Sequence, residues 1–451
     1  MEPIFANLFP SADKAVWLAQ VQKELKNEAA YESLRWPTDE GFTVEPYYTS
    51  ADLSHLPLDT IQKAQKAYPD WVNAAHVQVS DEKTANALLR DEINQGVEAF
   101  SLTLPTNGLN LTQLLHGIKL SDTPVFFRFA GGASPVSATD FIKSLQTVAP
   151  YQLKGGLLSD IDDATADITR LTANSPLFRT VCVNSHPFHN AGATATQELA
   201  FTLAALTDTF DRLTNSGLAL EQILPKTVLS VSVGTSYFAE IAKLRALRVL
   251  FNRFVSHYPV GSTHYPAFIH AQTSTFYDAA VTPYTNLLRA STEAMAAVIG
   301  GCDVLTVHPF DTVLEKSATS TESNFSVRIA RNVSILLKEE SHLNKVTDPS
   351  AGSYYVESLT HQLIEAAWSL FVAVEKRGGL TKAVQDGFIQ DELDRAFQAK
   401  IEAVRHGNKA LVGVTKFRSD EATVENSPEF TPKGVTPNGA LPTRRLAEEF
   451  E

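Results

Sequence analysis

Two of the twelve histidines stand close enough together to act as a pair. His186 and His189 form the run HPFH at the end of an apolar, strand-like stretch. Imidazole titrates near neutral pH and is a common zinc ligand, so the pair could bind a metal or move a proton. Equally, both could be packed or solvated loop side chains. No third ligand stands at a suitable spacing, so no metal is expected. His270 and Gln272 lie two residues apart in another strand-like run, which puts them on one face of a strand. They could touch a ligand or simply line the interior of a sheet. Cys182 and Cys302 sit in the apolar runs TVCVN and CDVLTV, and read as buried free thiols rather than as a disulfide.

The elements that must position these side chains are short apolar runs alternating with longer segments of helical period. The strand candidates are Ala99–Leu104, Pro124–Ala130, Leu153–Leu158, Arg179–Val183, Val228–Val233, Ala267–Gln272, Val304–Val307 and a short run near Val346. Helices are expected between them, for example over Gln197–Asn215, Tyr237–Ser256, Pro283–Ile299 and Phe325–Glu340. Thr282-Pro283 reads as an N-cap followed by proline at the first helical position, and Gly300-Gly301 ends the same helix. Strands alternating with helices call for a parallel sheet, and eight such units call for a closed (β/α)8 barrel. No GxGxxG follows a strand, which leaves a doubly wound open sheet without support.

The flanks differ from the barrel. Residues 1–70 read as a helix, Ala12–Lys26 capped by Ser11, followed by an extended aromatic arm with Trp36, Phe42, Tyr47 and Tyr48. Such an arm either wraps a partner or packs on its own barrel. The barrel is assigned to 71–360, a helical segment with Leu359–Arg377 and Thr381–Arg405 to 361–417, and a polar, proline-containing, irregular tail to 418–451. With 38 basic and 51 acidic residues the net charge is −13, which argues against nucleic acid. No stretch is apolar enough for a membrane span and no signal peptide is legible, so a cytoplasmic home is expected.

Several stretches resemble the barrel portion of acyl-CoA mutases of the methylmalonyl-CoA type. They are HNAGATATQELAFTLA (189–204), HAQTSTF (270–276), EAMAAVIGGCDVLTVHPFD (293–311), FSVRIARNVSILLKEES (325–341), DPSAGSYYVESLT (348–360) and GNKALVGVTKF (407–417). They span roughly residues 70 to 417, in order. The resemblance implies a (β/α)8 barrel threaded by an acyl-CoA and working with adenosylcobalamin, which supplies the radical chemistry. In that family cobalamin is held by a further domain marked Asp-x-His-x-x-Gly. No histidine here has Asp two residues before it, so this chain is expected to lack that domain and to bind no cobalamin alone.

By the same resemblance, the positions that touch substrate are altered. The family's tyrosine over the substrate becomes His76, its substrate-facing histidine becomes Pro187, with Asn190 where it has Glu, and an acyl-CoA-binding arginine becomes Phe268. Proline offers no side-chain donor and phenylalanine cannot pair with an anion. No catalytic residue is therefore expected; His186, His189, Asn190, His270 and Gln272 remain as remnants of a barrel mouth. Glu339 and Glu340 fall near a family glutamate that serves cobalamin, and read here as a solvated helix end. The resemblance implies the small, structural subunit of a heterodimeric methylmalonyl-CoA mutase, with cobalamin bound by a homologous large catalytic subunit. The alternative is a catalytic barrel served by a separate cobalamin-binding protein.

Overall fold

The computed structural model describes residues 13–25, 28–105, 109–129, 138–159, 164–259, 265–314, 322–418 and 441–451, with backbone only for 28–29 and 322–324. Eight parallel strands build the centre: β1 Val72–Gln78, β2 Ala99–Leu104, β3 Val125–Phe129, β4 Gly155–Leu157, β5 in two halves Phe178–Arg179 and Val181–Asn184, β6 Thr227–Val233, β7 Ile269–Thr273 and β8 Val304–Thr306. Each pairs with the next, and β8 pairs back to β1 through Val304 and Leu305 opposite Val72 and Asn73. The halves of β5 close the circle: Phe178 and Arg179 pair with β4, and Val181–Asn184 pairs with β6. The strand bends at Thr180 between them. Lys226 fixes that bend by donating from Nζ to the carbonyls of Thr172, Ser175 and Phe178 at 2.6 to 2.9 Å.

Helices cover the outside: α1 Glu82–Asn94, α2 Leu111–Leu114, α3 Ala138–Val148, α4 Thr165–Leu171, α5 His186–Asn190, α6 Ala195–Asn215, α7 Tyr237–Val255, α8 Pro283–Ile299 and α9 Glu322–Glu339. Their starts carry local signals. Asp81 accepts from Thr84 N at the head of α1, and Thr194 and Gln197 form a reciprocal capping box at α6. Outward strand residues such as Phe100, Leu102 and Phe127 pack against Leu89, Leu114, Ile142 and Leu145 of these helices.

The barrel stands as the sequence predicts, with one strand corrected. The run near Val346 is a 3-10 turn, Leu343–Lys345, followed by the left-handed Asp348. The missing strand is β1, VNAAHVQ, whose two alanines and three polar residues give it low strand propensity. Asp348 is architectural: its carboxylate pairs with the buried Arg245 of α7, whose other nitrogen donates to Glu357 at 2.7 Å.

Of the arm, the helix Lys14–Leu25 and a short hairpin, Trp36–Pro37 against Thr43–Val44, are described; Ser11 lies outside the described residues. Phe42, Val44 and Tyr48 pack on the chain's own core. Glu40 accepts from the backbone N–H of Ala195 and Thr196, at 3.0 and 2.7 Å, and so caps α6. Leu34, Trp36 and Tyr47 stay exposed.

After the barrel, α10 Tyr354–Glu375 lies along α6 and α7. The expected Thr381–Arg405 helix is two, Gly379–Gln385 and α11 Phe388–Arg405, separated at Gly387 with φ 79°. Residues 441–451 correct the expectation of an irregular tail throughout. Leu446 and Ala447 are buried, Leu446 N donates to Phe276 O at 2.8 Å, and Arg444 N donates to Asn190 O at 2.8 Å. Among the described residues no helix is long and apolar enough to cross a membrane.

Candidate functional site

Alternate residues of each strand point into the barrel. The strand register sorts these inward residues into two halves. Toward the N-terminal end, Val72, Ala74, Ala99, Phe126, Leu158, Cys182, Val228, Phe268 and Val304 form one contacting cluster. Every strand, or the residue flanking it, contributes, so the axis is filled there. Arg179 closes that end by lying over the Phe268 ring, 3.7 Å from its centroid, while donating to the carbonyls of Pro225 and Thr227. Burial lowers Arg179 to about 10, and Asp303 partly opposes this.

Toward the C-terminal end the lining is polar. His270 bridges Ser230 Oγ at 3.0 Å and Thr306 Oγ1 at 2.9 Å. His186, the first residue of α5, turns back into the barrel and meets Ser232 Oγ at 2.7 Å and Ser230 Oγ at 2.9 Å. His76 meets Thr103 Oγ1 at 3.1 Å and stands edge-on to His308, with ring centroids 5.0 Å apart. Arg128 of β3 reaches Gln272 Oε1 at 3.2 Å. Burial lowers His186 well below its ordinary value and His270 to about 3, and Arg128 pushes both the same way. Both rings are uncharged at neutral pH.

A second network lies outside the barrel wall. Glu198 of α6 accepts from Ser185 Oγ at 2.6 Å and from Lys243 Nζ at 2.8 Å, and meets His189 Nδ1 at 3.2 Å. The other nitrogen of His189 meets Ser274 Oγ at 2.7 Å. Burial alone would raise Glu198, but Lys243 and His189 outweigh it and hold the carboxylate at about 2. Beside this network lies a cavity of about 250 Å³, reached by Trp36, Glu40, Tyr277 and Lys400.

The structure therefore brings together His76, His186, His270 and Gln272 in the barrel. His189 meets Glu198 and Ser274 instead, so the two HPFH histidines have different partners. Pro187 is exposed on α5, and Asn190 offers its backbone carbonyl to Arg444. Phe268 belongs to the N-terminal end of the barrel, not to its mouth. Phe276 is buried against Phe397 and Leu446, off the barrel axis. Cys182 and Cys302 are buried, and neither is in a disulfide. Arg128, Ser230, Ser232, Thr306 and His308 escape a motif-based reading. The signal that finds Arg128 is its place at an inward position of the apolar run VFFRF.

Such a barrel, apolar at one end and polar at the C-terminal ends of its strands, has the layout of (β/α)8 enzymes and their relatives. The sequence pattern of methylmalonyl-CoA mutase matches residues 159–436, and the chain belongs to that family. It is 33% identical to the methylmalonyl-CoA mutase small subunit of Porphyromonas gingivalis, over 92% of this chain and 71% of that one. It is 30% identical to the small subunit of Streptomyces virginiae, over 98% of this chain and 76% of that one. Against the methylmalonyl-CoA mutase of Rhizobium meliloti the identity is 31%, over 89% of this chain and 63% of that protein, so the chain spans less than two thirds of it.

Proposed function

We propose that this chain is the small, structural subunit of a heterodimeric methylmalonyl-CoA mutase, and that a homologous large subunit binds substrate and adenosylcobalamin. The observation that carries the proposal is the filled barrel axis. Side chains from each of the eight strands, or from the residue flanking it, meet in one apolar cluster, with Phe126 and Phe268 in it, where an acyl-CoA would have to pass. The ring nitrogens of His186, His189 and His270 are all engaged by hydroxyls or a carboxylate, which suits them to holding structure rather than to ligating cobalt. Adenosylcobalamin thus does not fit the residues at hand, and no reaction step is assigned to this chain. Residues 1–70 carry the partner contact in this reading: the inner face of the arm is anchored by Glu40 and Tyr48, while Leu34, Trp36 and Tyr47 remain exposed.

Co-expression with the homologous full-length mutase chain, followed by affinity capture and an isomerase assay, tests the proposal. A 1:1 complex whose activity needs only the partner's active-site residues is expected. Isomerisation by this chain with a separate small cobalamin-binding protein would overturn it in favour of a catalytic barrel.

A further inference from the structure

Among the described residues, the polar half of the barrel holds one charge, Arg128, that no carboxylate meets. Arg128 projects from β3, and the residue it reaches, Gln272, lies on β7, the strand diametrically opposite in an eight-stranded barrel. The guanidinium therefore lies across the barrel axis. Its lateral neighbours are His186 and His270, both uncharged, and the ring of His270 lies 5.9 Å from that of Phe126 below. Among the described residues, the inward positions of the polar half carry Arg128, histidines, hydroxyls and amides, and no Asp or Glu. Among the described residues the single hydrogen-bond partner recorded for Arg128 is the Gln272 oxygen, one acceptor for a group with five N–H donors.

An arginine taken out of bulk water without a carboxylate is costly to the fold, and such groups are normally paired. Arg179, the other inward arginine, satisfies its nitrogens on the carbonyls of Pro225 and Thr227 and stacks on Phe268. Arg128 has no comparable arrangement among the described residues. We propose that the C-terminal half of this barrel binds a short-chain carboxylate, held by the Arg128 guanidinium and the Gln272 amide. A planar fork of N–H donors matches the two oxygens of a carboxylate. The Gln272 NH2, on an amide whose oxygen already accepts from Arg128, supplies a second donor. The apolar cluster below, with Phe126 in it, limits the occupant to a few carbons and excludes a pantetheine-length chain. This assignment does not depend on the heterodimer and holds for the chain by itself.

Thermal unfolding of the full chain in malonate and in acetate, against sodium chloride at matched ionic strength, tests the proposal, with inorganic phosphate as a third arm. A rise of about 2 °C at carboxylate concentrations well above the dissociation constant is expected. Arg128→Met abolishes the rise, and Gln272→Leu, which keeps the charge, reduces it by half or more. Should Arg128→Met fail to fold, Gln272→Leu decides alone. Equal melting temperatures in carboxylate and chloride, or a rise that survives both substitutions, overturns the proposal. A phosphate response equal to that of malonate overturns the assignment to carboxylates.

Discussion

Glu198 accepts a 2.8 Å hydrogen bond from Lys243, and both side chains are buried. The ammonium is shared with Glu240 and also donates to Ser232 O at 2.8 Å, so it joins α6 and α7 to the end of β6. Breaking a buried pair by removing one partner leaves an uncompensated charge, which typically costs about 3–5 kcal/mol. Lys243→Met is expected to destabilise by that order, and the double variant Glu198→Leu/Lys243→Met by less than the sum of its singles. Denaturant unfolding of the three variants measures this. The folded carboxylate is depressed to about 2, so its stabilisation is complete above the ordinary carboxylate range and is lost as pH falls toward 2. Single variants costing less than about 1 kcal/mol would remove the network from the account.

Asp278 titrates in the opposite sense. Burial raises its carboxyl to about 7, with Arg289 and Arg445 only partly opposing. The folded state holds its proton more tightly than the unfolded chain does, so stability is present below the ordinary carboxylate range and declines as pH rises toward 7. The difference in melting temperature between Asp278→Asn and the parent chain should therefore grow between pH 4 and pH 7 and level off above. A difference independent of pH would show that Asp278 ionises freely.

The apolar end of the barrel offers a third test. Phe126 is buried among residues from every other strand, and Phe126→Ala should cost about 3–5 kcal/mol. Phe268 is only partly buried and shares its ring with Arg179, so Phe268→Ala should cost less. Neither change should produce isomerase activity in the chain alone, because neither restores a substrate-facing donor. Unfolding curves and a coupled assay on both variants check this, and activity in either one counts against a structural role.

Seven of the eight strands are legible in the sequence as short, mostly apolar runs between helical segments. β1 is not, because Ala74, Ala75, Asn73 and His76 carry little strand propensity; its pairing to β2 and β8 decides it. The loop holding His186, Pro187 and Asn190 can be found by counting, yet the direction of each side chain cannot. His186 meets Ser230 and Ser232 of β6, while His189 meets Glu198 of α6. Glu198 and Lys243 lie 45 residues apart on two helices, a relationship that local periodicity cannot express. Arg128 is visible as a charge in an apolar strand, but its partner across the barrel follows only from closure of the sheet.

The arm supplies a fourth prediction. Its inner face is fixed to the barrel through Glu40, Phe42 and Tyr48, so substituting the exposed Leu34, Trp36 and Tyr47 together by serine should leave the melting temperature nearly unchanged. Assembly with the large subunit should weaken roughly tenfold or more, since aromatic side chains dominate interface energetics. Titration calorimetry on the triple variant measures it. Undiminished affinity would place the partner contact elsewhere on the chain.

We propose that this chain supports a catalytic partner without binding the cofactor itself. Spectral titration of the purified complex with adenosylcobalamin, alongside the chain alone, tests that claim most directly. Saturation at one cobalamin per heterodimer and no spectral change with the isolated chain are expected. Two cobalamins per heterodimer, or saturable binding by this chain alone, would contradict it.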